Sequence, residues 1–185
     1  MRCAGLPIRS TMRPMPERLE ELLDFAAVPA GSLVLDVGCG RGSLSLALAR
    51  RGCSVVGVDP SAPTPAVARF IRGRLEEIPV RSGAFDAAFS RGTFHRSADP
   101  ESMLSEMVRA VRPGGLLVIQ DLLAPDRERA GLLTGEELCA HFAGERLEVV
   151  ANRVDSEGPR RIATWLLRAP LPEKEIRRTY IQEDR

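Results

Sequence analysis

Apolar and polar positions along the chain follow two rhythms. From Glu17 to Ala27, Leu19, Leu22, Leu23 and Ala26 recur at helical spacing, which predicts an amphipathic helix ended by Pro29. Ser32 to Val37 is a short apolar run closing on a glycine cluster, the mark of a buried strand. Ser43 to Arg51 reads as a helix and Ser54 to Val58 as a second buried strand, so the chain opens as a parallel βαβ unit. A third strand is placed near Arg69, Phe70 and Ile71, and Phe85 to Ser90 is strand-like. Asp99-Pro100-Glu101 starts a helix, with Asp as N-cap and Pro at its first position; it runs to about Val111 and stops at Pro113-Gly114-Gly115. Met103 and Met107, at helical spacing within it, are core by default. Leu116 to Gln120 is another apolar strand, ending on Asp121. Thr134 and Glu137 form a capping box for a helix to Phe142. Arg146–Val154 and Ile162–Leu167 follow as an antiparallel hairpin, predicting an α/β sandwich with one antiparallel edge.

Composition narrows the function classes. The chain has 185 residues, 44% apolar and 28% charged, enough for one domain with a real core. We place a loose leader at 1–16, the domain at 17–169 and a charged tail at 170–185. With 26 Lys+Arg against 25 Asp+Glu, the charge balance argues against a nucleic-acid binder held by phosphate neutralisation. Six Phe, Trp165 and Tyr180 are too few for a stacking platform. No apolar run reaches the roughly 18 residues of a membrane span. Cys3, Cys39, Cys53 and Cys139 form no C-x-x-C pair, and with His95 and His141 complete no metal pattern. No metal site is expected, and a reducing cytoplasmic location fits better than secretion.

The chemistry lies in Val34 to Ala49, VLDVGCGRGSLSLALA. Gly38, Gly40 and Gly42 let the backbone turn sharply and approach a ligand, and the next helix presents unpaired N–H groups. Asp59 ends the second strand, where a carboxylate can accept hydrogen bonds from both hydroxyls of a ribose. A dinucleotide fingerprint would need glycine at position 43, where Ser43 stands, and no Lys-Ser/Thr follows to make a P-loop. Asp36 would repel a pyrophosphate but suits the α-amino group of a methionyl moiety.

D-x-G-C-G-x-G after a first strand, with an acidic residue after the second, resembles the class I S-adenosylmethionine-dependent methyltransferases. The segment from Leu75 to Asp121 is similar to the small-molecule group that includes the ubiquinone and menaquinone biosynthesis enzymes. The resemblance implies a Rossmann-like, doubly wound, mostly parallel sheet with an antiparallel C-terminal hairpin. It implies that Asp36, Gly38, Cys39 and Gly40 line the methionine and ribose side of S-adenosylmethionine. Asp59 would hold the ribose hydroxyls, Pro60 would flank the adenine, and the Leu75 N–H would meet the adenine ring. Ser90 and Arg91 would lie near the sulfonium and the acceptor.

Two departures stand out. Arg74 occupies a position where the family has an Asp that accepts from the adenine amino group, and arginine has donors only. Glu76 or Glu77 is available to compensate. Between Asp59 and the third strand, Pro60, Pro63 and Pro65 preclude the usual helix. The third strand is then displaced, or a bare loop crosses and leaves a sheet face uncovered. A homodimer or partner protein covering residues 60–72 would shield such a face. His95 and Asp121 are the candidates for acid–base or substrate contact, each with a bland alternative: a structural loop histidine, and a cap of the following turn. Phe94 is read as packing beside the cofactor, and Cys39 as a small turn residue without a nucleophilic role. The short stretch Leu122–Thr134 offers little cover for the acceptor. An S-adenosylmethionine-dependent methyltransferase acting on a small molecule is the leading reading. A cofactor-binding pseudoenzyme or partner subunit is the alternative, and a nicotinamide oxidoreductase is disfavoured by Asp36 and Ser43.

Overall fold

The computed structural model describes residues 8–10, 15–61, 69–123, 134–157 and 160–172. In chain order the elements are β1 (Ile8–Ser10), α1 (Met15–Ala26), β2 (Leu33–Val37), α2 (Ser43–Arg50), β3 (Ser54–Asp59), β4 (Arg69–Arg72) and β5 (Phe85–Arg91). A single 3₁₀ turn (Phe94–Arg96), α3 (Pro100–Ala110), β6 (Val111–Leu123), α4 (Gly135–Gly144), β7 (Glu148–Glu157) and β8 (Arg160–Arg168) follow. The strands form one sheet in the order β1-β7-β8-β6-β5-β2-β3-β4. Neighbours from β6 to β4 are parallel, whereas β8 runs antiparallel to both β6 and β7.

Two apolar layers sandwich the sheet. On one face Leu22 and Leu23 of α1 join Leu44 and Leu48 of α2 over Val34, Phe89 and Val118. On the other, Met103, Leu104 and Met107 of α3 and Leu138 and Phe142 of α4 cover Leu35, Ala88, Ile119 and Trp165. Met103 and Met107 are core, as their spacing predicts. Phe142 meets Trp165 edge-on, with centroids 5.6 Å apart. Helices on both faces and a parallel centre make the sheet doubly wound.

Both capping signals hold. Asp99 accepts the Ser102 N–H at 3.0 Å with Pro100 in the first turn. Thr134 and Glu137 exchange the two hydrogen bonds of a capping box. At Ala110, α3 passes straight into β6, whose pairing with β5 jumps from Val111 to Leu116 across Pro113-Gly114-Gly115, where Gly114 turns at φ +72°.

The structure departs from the sequence reading at the N-terminus. Ile8–Ser10, inside the segment expected to be a loose leader, pairs parallel to β7, and α1 begins at Met15 rather than Glu17. A three-residue strand is too short to leave a periodic signal; backbone pairing to a sheet edge is what defines it. The third strand is not displaced, because β4 lies parallel beside β3 at the edge. The expected lack of a helix before it falls on residues 62–68, outside the described residues, as does most of the short cover at 122–134.

Candidate active site

The parallel strands β2 and β3 end side by side, and their register puts Val37 opposite Val58. The chain leaving β2 must turn at once to enter α2, and Gly38 and Gly40 do so at φ +73° and +51°. The Gly38 and Cys39 N–H groups both bond the Val58 carbonyl, at 2.8 and 3.2 Å, fastening the turn to β3. A side chain at Gly38 would overlap Thr93, whose Cβ lies 2.9 Å from where it would stand, whereas the same position on Gly40 faces open space.

That open space is a cavity of about 410 Å³ lined by Gly40, Arg41, Asp59, Pro60, Ser61, Leu75, Thr93 and Arg96. Gly40, Asp59, Pro60 and Leu75 were singled out from sequence; Arg41, Ser61, Thr93 and Arg96 were not. Ser61 is legible in retrospect as the residue that caps the Asp59 carboxylate. Thr93 carries no local signal, since only the folded chain brings it over Gly38.

Asp59 is 8% exposed, and its carboxylate is held by its own surroundings. One oxygen accepts the Gly40 N–H at 3.0 Å, and the other accepts the Ser61 N–H at 3.0 Å and its hydroxyl at 3.3 Å. The acid thus fixes the glycine turn and the Pro60 corner together while facing the cavity. Arg74 does not line that cavity; it is 76% exposed and lies 3.9 Å from Glu76. Glu76 in turn accepts from the Ser97 hydroxyl, and neither it nor Glu77 is in the lining.

Behind the turn, Asp36 is fully buried and accepts the Ser45 hydroxyl at 2.5 Å. Burial pushes its carboxyl up to about 6, against the partly offsetting hydrogen bonds from Ser45. The Cys39 thiol is pushed up to about 12 by burial and by Asp36 and Asp59, which leaves it inert as a nucleophile. Ser90, at the end of β5, is 1% exposed, and its hydroxyl oxygen has no hydrogen-bond partner. Phe94 is buried in the core.

The two acid–base candidates meet. His95 Nδ1 lies 2.5 Å from Asp121 Oδ1, while Asp121 Oδ2 accepts the Thr93 and Phe94 N–H groups at 2.9 and 2.7 Å. Asp121 therefore secures the loop after β5, as well as accepting the Leu122 N–H at 2.7 Å. His95 keeps 22% of its side chain exposed, and Asp121 only 2%.

Cys39 and Cys53 are free thiols. Cys139 is disulfide-bonded, a pairing that the absence of a C-x-x-C motif does not reveal, because sequence spacing sees local pairs only. Among the described residues no cluster fits a metal ion, and no helix is long and apolar enough to cross a membrane.

Comparison with known proteins places this geometry. Residues 35–119 match the family model described as a methyltransferase domain. A demethylmenaquinone methyltransferase of Thermus thermophilus is 34% identical over 124 residues, which cover 60% of this chain and 56% of that protein. The chain spans between 36% and 56% of the length of several curated relatives it matches. Among solved structures, the [4+2]-cyclase SpnF superposes with a TM-score of 0.75 at 16% identity, covering 84% of this chain and 81% of that one. The 1,6-didemethyltoxoflavin-N1-methyltransferase of Burkholderia thailandensis, with bound S-adenosylhomocysteine, gives 0.70 at 19%, covering 84% and 78%. These two likenesses establish the fold; the sequence match across the glycine turn and the strands around it goes further. Over residues 35–119 the chain is thus similar in sequence to methyltransferase domains, and its fold is the one those enzymes share.

Proposed function

We propose that this chain transfers a methyl group from S-adenosylmethionine to a small-molecule acceptor. The observation that carries the reading is the cavity bounded by Gly40 and Asp59 at the C-terminal ends of β2 and β3. Its residues suit the cofactor: an open position over Gly40 and a carboxylate at the end of β3, with the unpartnered hydroxyl of Ser90 buried at the end of β5, outside the lining. When bound, the cofactor supplies an activated methyl on a sulfonium.

Asp59 accepts from ribose hydroxyls, and Pro60 and Leu75 bracket the adenine. Gly38, Cys39 and Gly40 give the backbone surface toward the methionine side, and Asp36 and Ser90 its buried polar groups. Arg74 projects into solvent, so the substitution removes an acceptor for the adenine amino group without filling the cavity. That observation favours an active enzyme over a pseudoenzyme.

His95 receives a proton from the acceptor. The bond from its Nδ1 to Asp121 leaves Nε2 as the free acceptor nitrogen, and a base is needed wherever an O–H or N–H group is methylated. The Thermus relative, named for a quinone precursor, supports a small molecule; a near-neutral chain gives a polynucleotide acceptor little purchase. A cytoplasmic location accompanies this reading. A homodimer or partner over residues 60–72 remains attached to it, since β4 forms the sheet edge. A strictly monomeric mass by light scattering at high concentration rejects the dimer.

The test is calorimetric titration of the chain with S-adenosylhomocysteine, with Asp59→Ala alongside. Loss of a charge-assisted hydrogen bond, worth about 1.5–3 kcal/mol, weakens binding by roughly 10- to 100-fold. Absence of binding to the unaltered chain overturns the proposal.

A further inference from the structure

Arg161 carries a buried polar group that the fold leaves unused. Its Nε atom is shielded from solvent without a hydrogen-bond partner, and among the described residues the side chain makes no ion pair. Other arginines are engaged: Arg51 with Glu20 and Asp24, Arg109 with Glu106 and Arg112 with Asp86, while Arg153, whose Nε is likewise buried without a hydrogen-bond partner, ion-pairs Asp155 and lies over the Phe25 ring. A guanidinium with a desolvated, unpaired N–H is a structural debt that a ligand can settle.

Its position says which ligand. In the antiparallel pair of β6 and β8, Arg161 stands opposite Leu123, and Ala163 stands opposite Asp121. Residues directly opposite share a face, and so do residues two apart, so Asp121, Leu123, Ala163 and Arg161 all lie on one face. Asp121 and Arg161 are diagonal neighbours on it, roughly 7–8 Å apart, within reach of a long side chain. Both sit at the edge of the sheet where the parallel strands end, the edge that carries the glycine turn and Asp59. The four contacts on the Asp121 carboxylate come from His95, Thr93, Phe94 and Leu122, leaving Arg161 uncommitted to it.

We propose that Arg161 anchors an oxyanion, a carboxylate or phosphate carried by the methyl acceptor, and holds it beside the His95–Asp121 pair. The inference rests on reading that edge as the acceptor's site. The planar guanidinium presents paired donors that match either oxyanion, and a half-buried setting strengthens the contact. Arg161 is a specificity-determining residue in this scheme: it selects acidic acceptors and orients their reacting group toward His95.

The experiment uses the full chain, with and without saturating S-adenosylhomocysteine. Benzoate, phenyl phosphate and the neutral isostere benzamide are titrated calorimetrically into the unaltered chain, Arg161→Gln and Arg161→Lys. The expected result is at least tenfold tighter binding of benzoate or phenyl phosphate than of benzamide. Arg161→Gln abolishes that preference and Arg161→Lys retains part of it, while Trp165 fluorescence and melting show both variants folded. The benzoate and phenyl phosphate arms separate the two oxyanions. Equal binding of charged and neutral probes, no binding of any of them, or a preference that survives Arg161→Gln overturns the proposal. Failure of S-adenosylhomocysteine to bind rejects the cofactor reading instead, and the arms run without it still report on Arg161.

Discussion

Asp121 grips His95 through Nδ1 at 2.5 Å across 26 positions of sequence, and its second oxygen collects two backbone N–H groups from the same loop. One carboxylate thereby sets the imidazole's orientation and the shape of the loop that carries it. The pairing couples the proposed base to the chain geometry that places Thr93 over the glycine turn.

The tautomer follows from that bond. Nitrogen NMR of the neutral imidazole should place its proton on Nδ1 and leave Nε2 bare, and Asp121→Asn should lose the bias. Because an amide cannot offer two anionic oxygens, Asp121→Asn should also destabilise the fold by about 1–3 kcal/mol. His95→Ala should fold normally and lower kcat for an O–H or N–H acceptor by roughly 10²–10⁴, with little change in KM. An unchanged kcat would leave His95 a structural loop residue.

Gly38 is expected to tolerate no side chain. Gly38→Ala combines a left-handed backbone with overlap on Thr93 and should cost at least about 2 kcal/mol in urea melts. Removing the outer atoms in Gly38→Ala/Thr93→Ala should recover part of the loss. A double variant no more stable than the single one would place the penalty in the backbone alone.

Stability should depend on pH through Asp36. Its folded-state carboxyl is raised from the ordinary 3.8 to about 6, so the folded chain holds the proton more tightly than the unfolded chain. The cost of ionising it is absent below about 3.8, grows through the window up to about 6, and is complete above it. Asp36→Asn keeps an oxygen for the Ser45 hydroxyl and should stabilise by up to about 3 kcal/mol at pH 7.5. The gain should vanish near pH 3.8. Melting gaps that are equal at the two pH values would contradict this.

Thr134→Ala removes the hydroxyl that accepts the Glu137 N–H and should lower stability by about 1 kcal/mol. Thr134→Ser should restore it. The comparison tests whether α4 depends on its cap or on the burial of Leu138 and Phe142 alone.

What the sequence disclosed divides along a physical line. The βαβ opening, the Asp99 cap, the Thr134 box and the C-terminal hairpin are local, and periodicity or capping chemistry reveals them. Gly40 and Asp59 were readable because a glycine turn and a strand-end acid are local patterns too, whereas Pro60 and Leu75 came only from the family resemblance. Thr93 over Gly38, the union of His95 with Asp121 and the isolation of Arg161 arise from pairings between distant strands, which no window of sequence contains. The strand at Ile8–Ser10 is of the same kind, since its partner is β7.

The strand order gives the cavity two walls of unequal permanence. Gly38 and Gly40 hang from β2, which is hydrogen-bonded on both sides and almost wholly buried. Leu75 follows β4, the edge strand, paired on one side only and half exposed. Amide protons at Val34–Val37 therefore exchange only when the whole domain opens, whereas those at Arg69–Arg72 exchange through local fraying. The edge wall is therefore expected to yield before the glycine turn, which forms the rigid floor of the cavity.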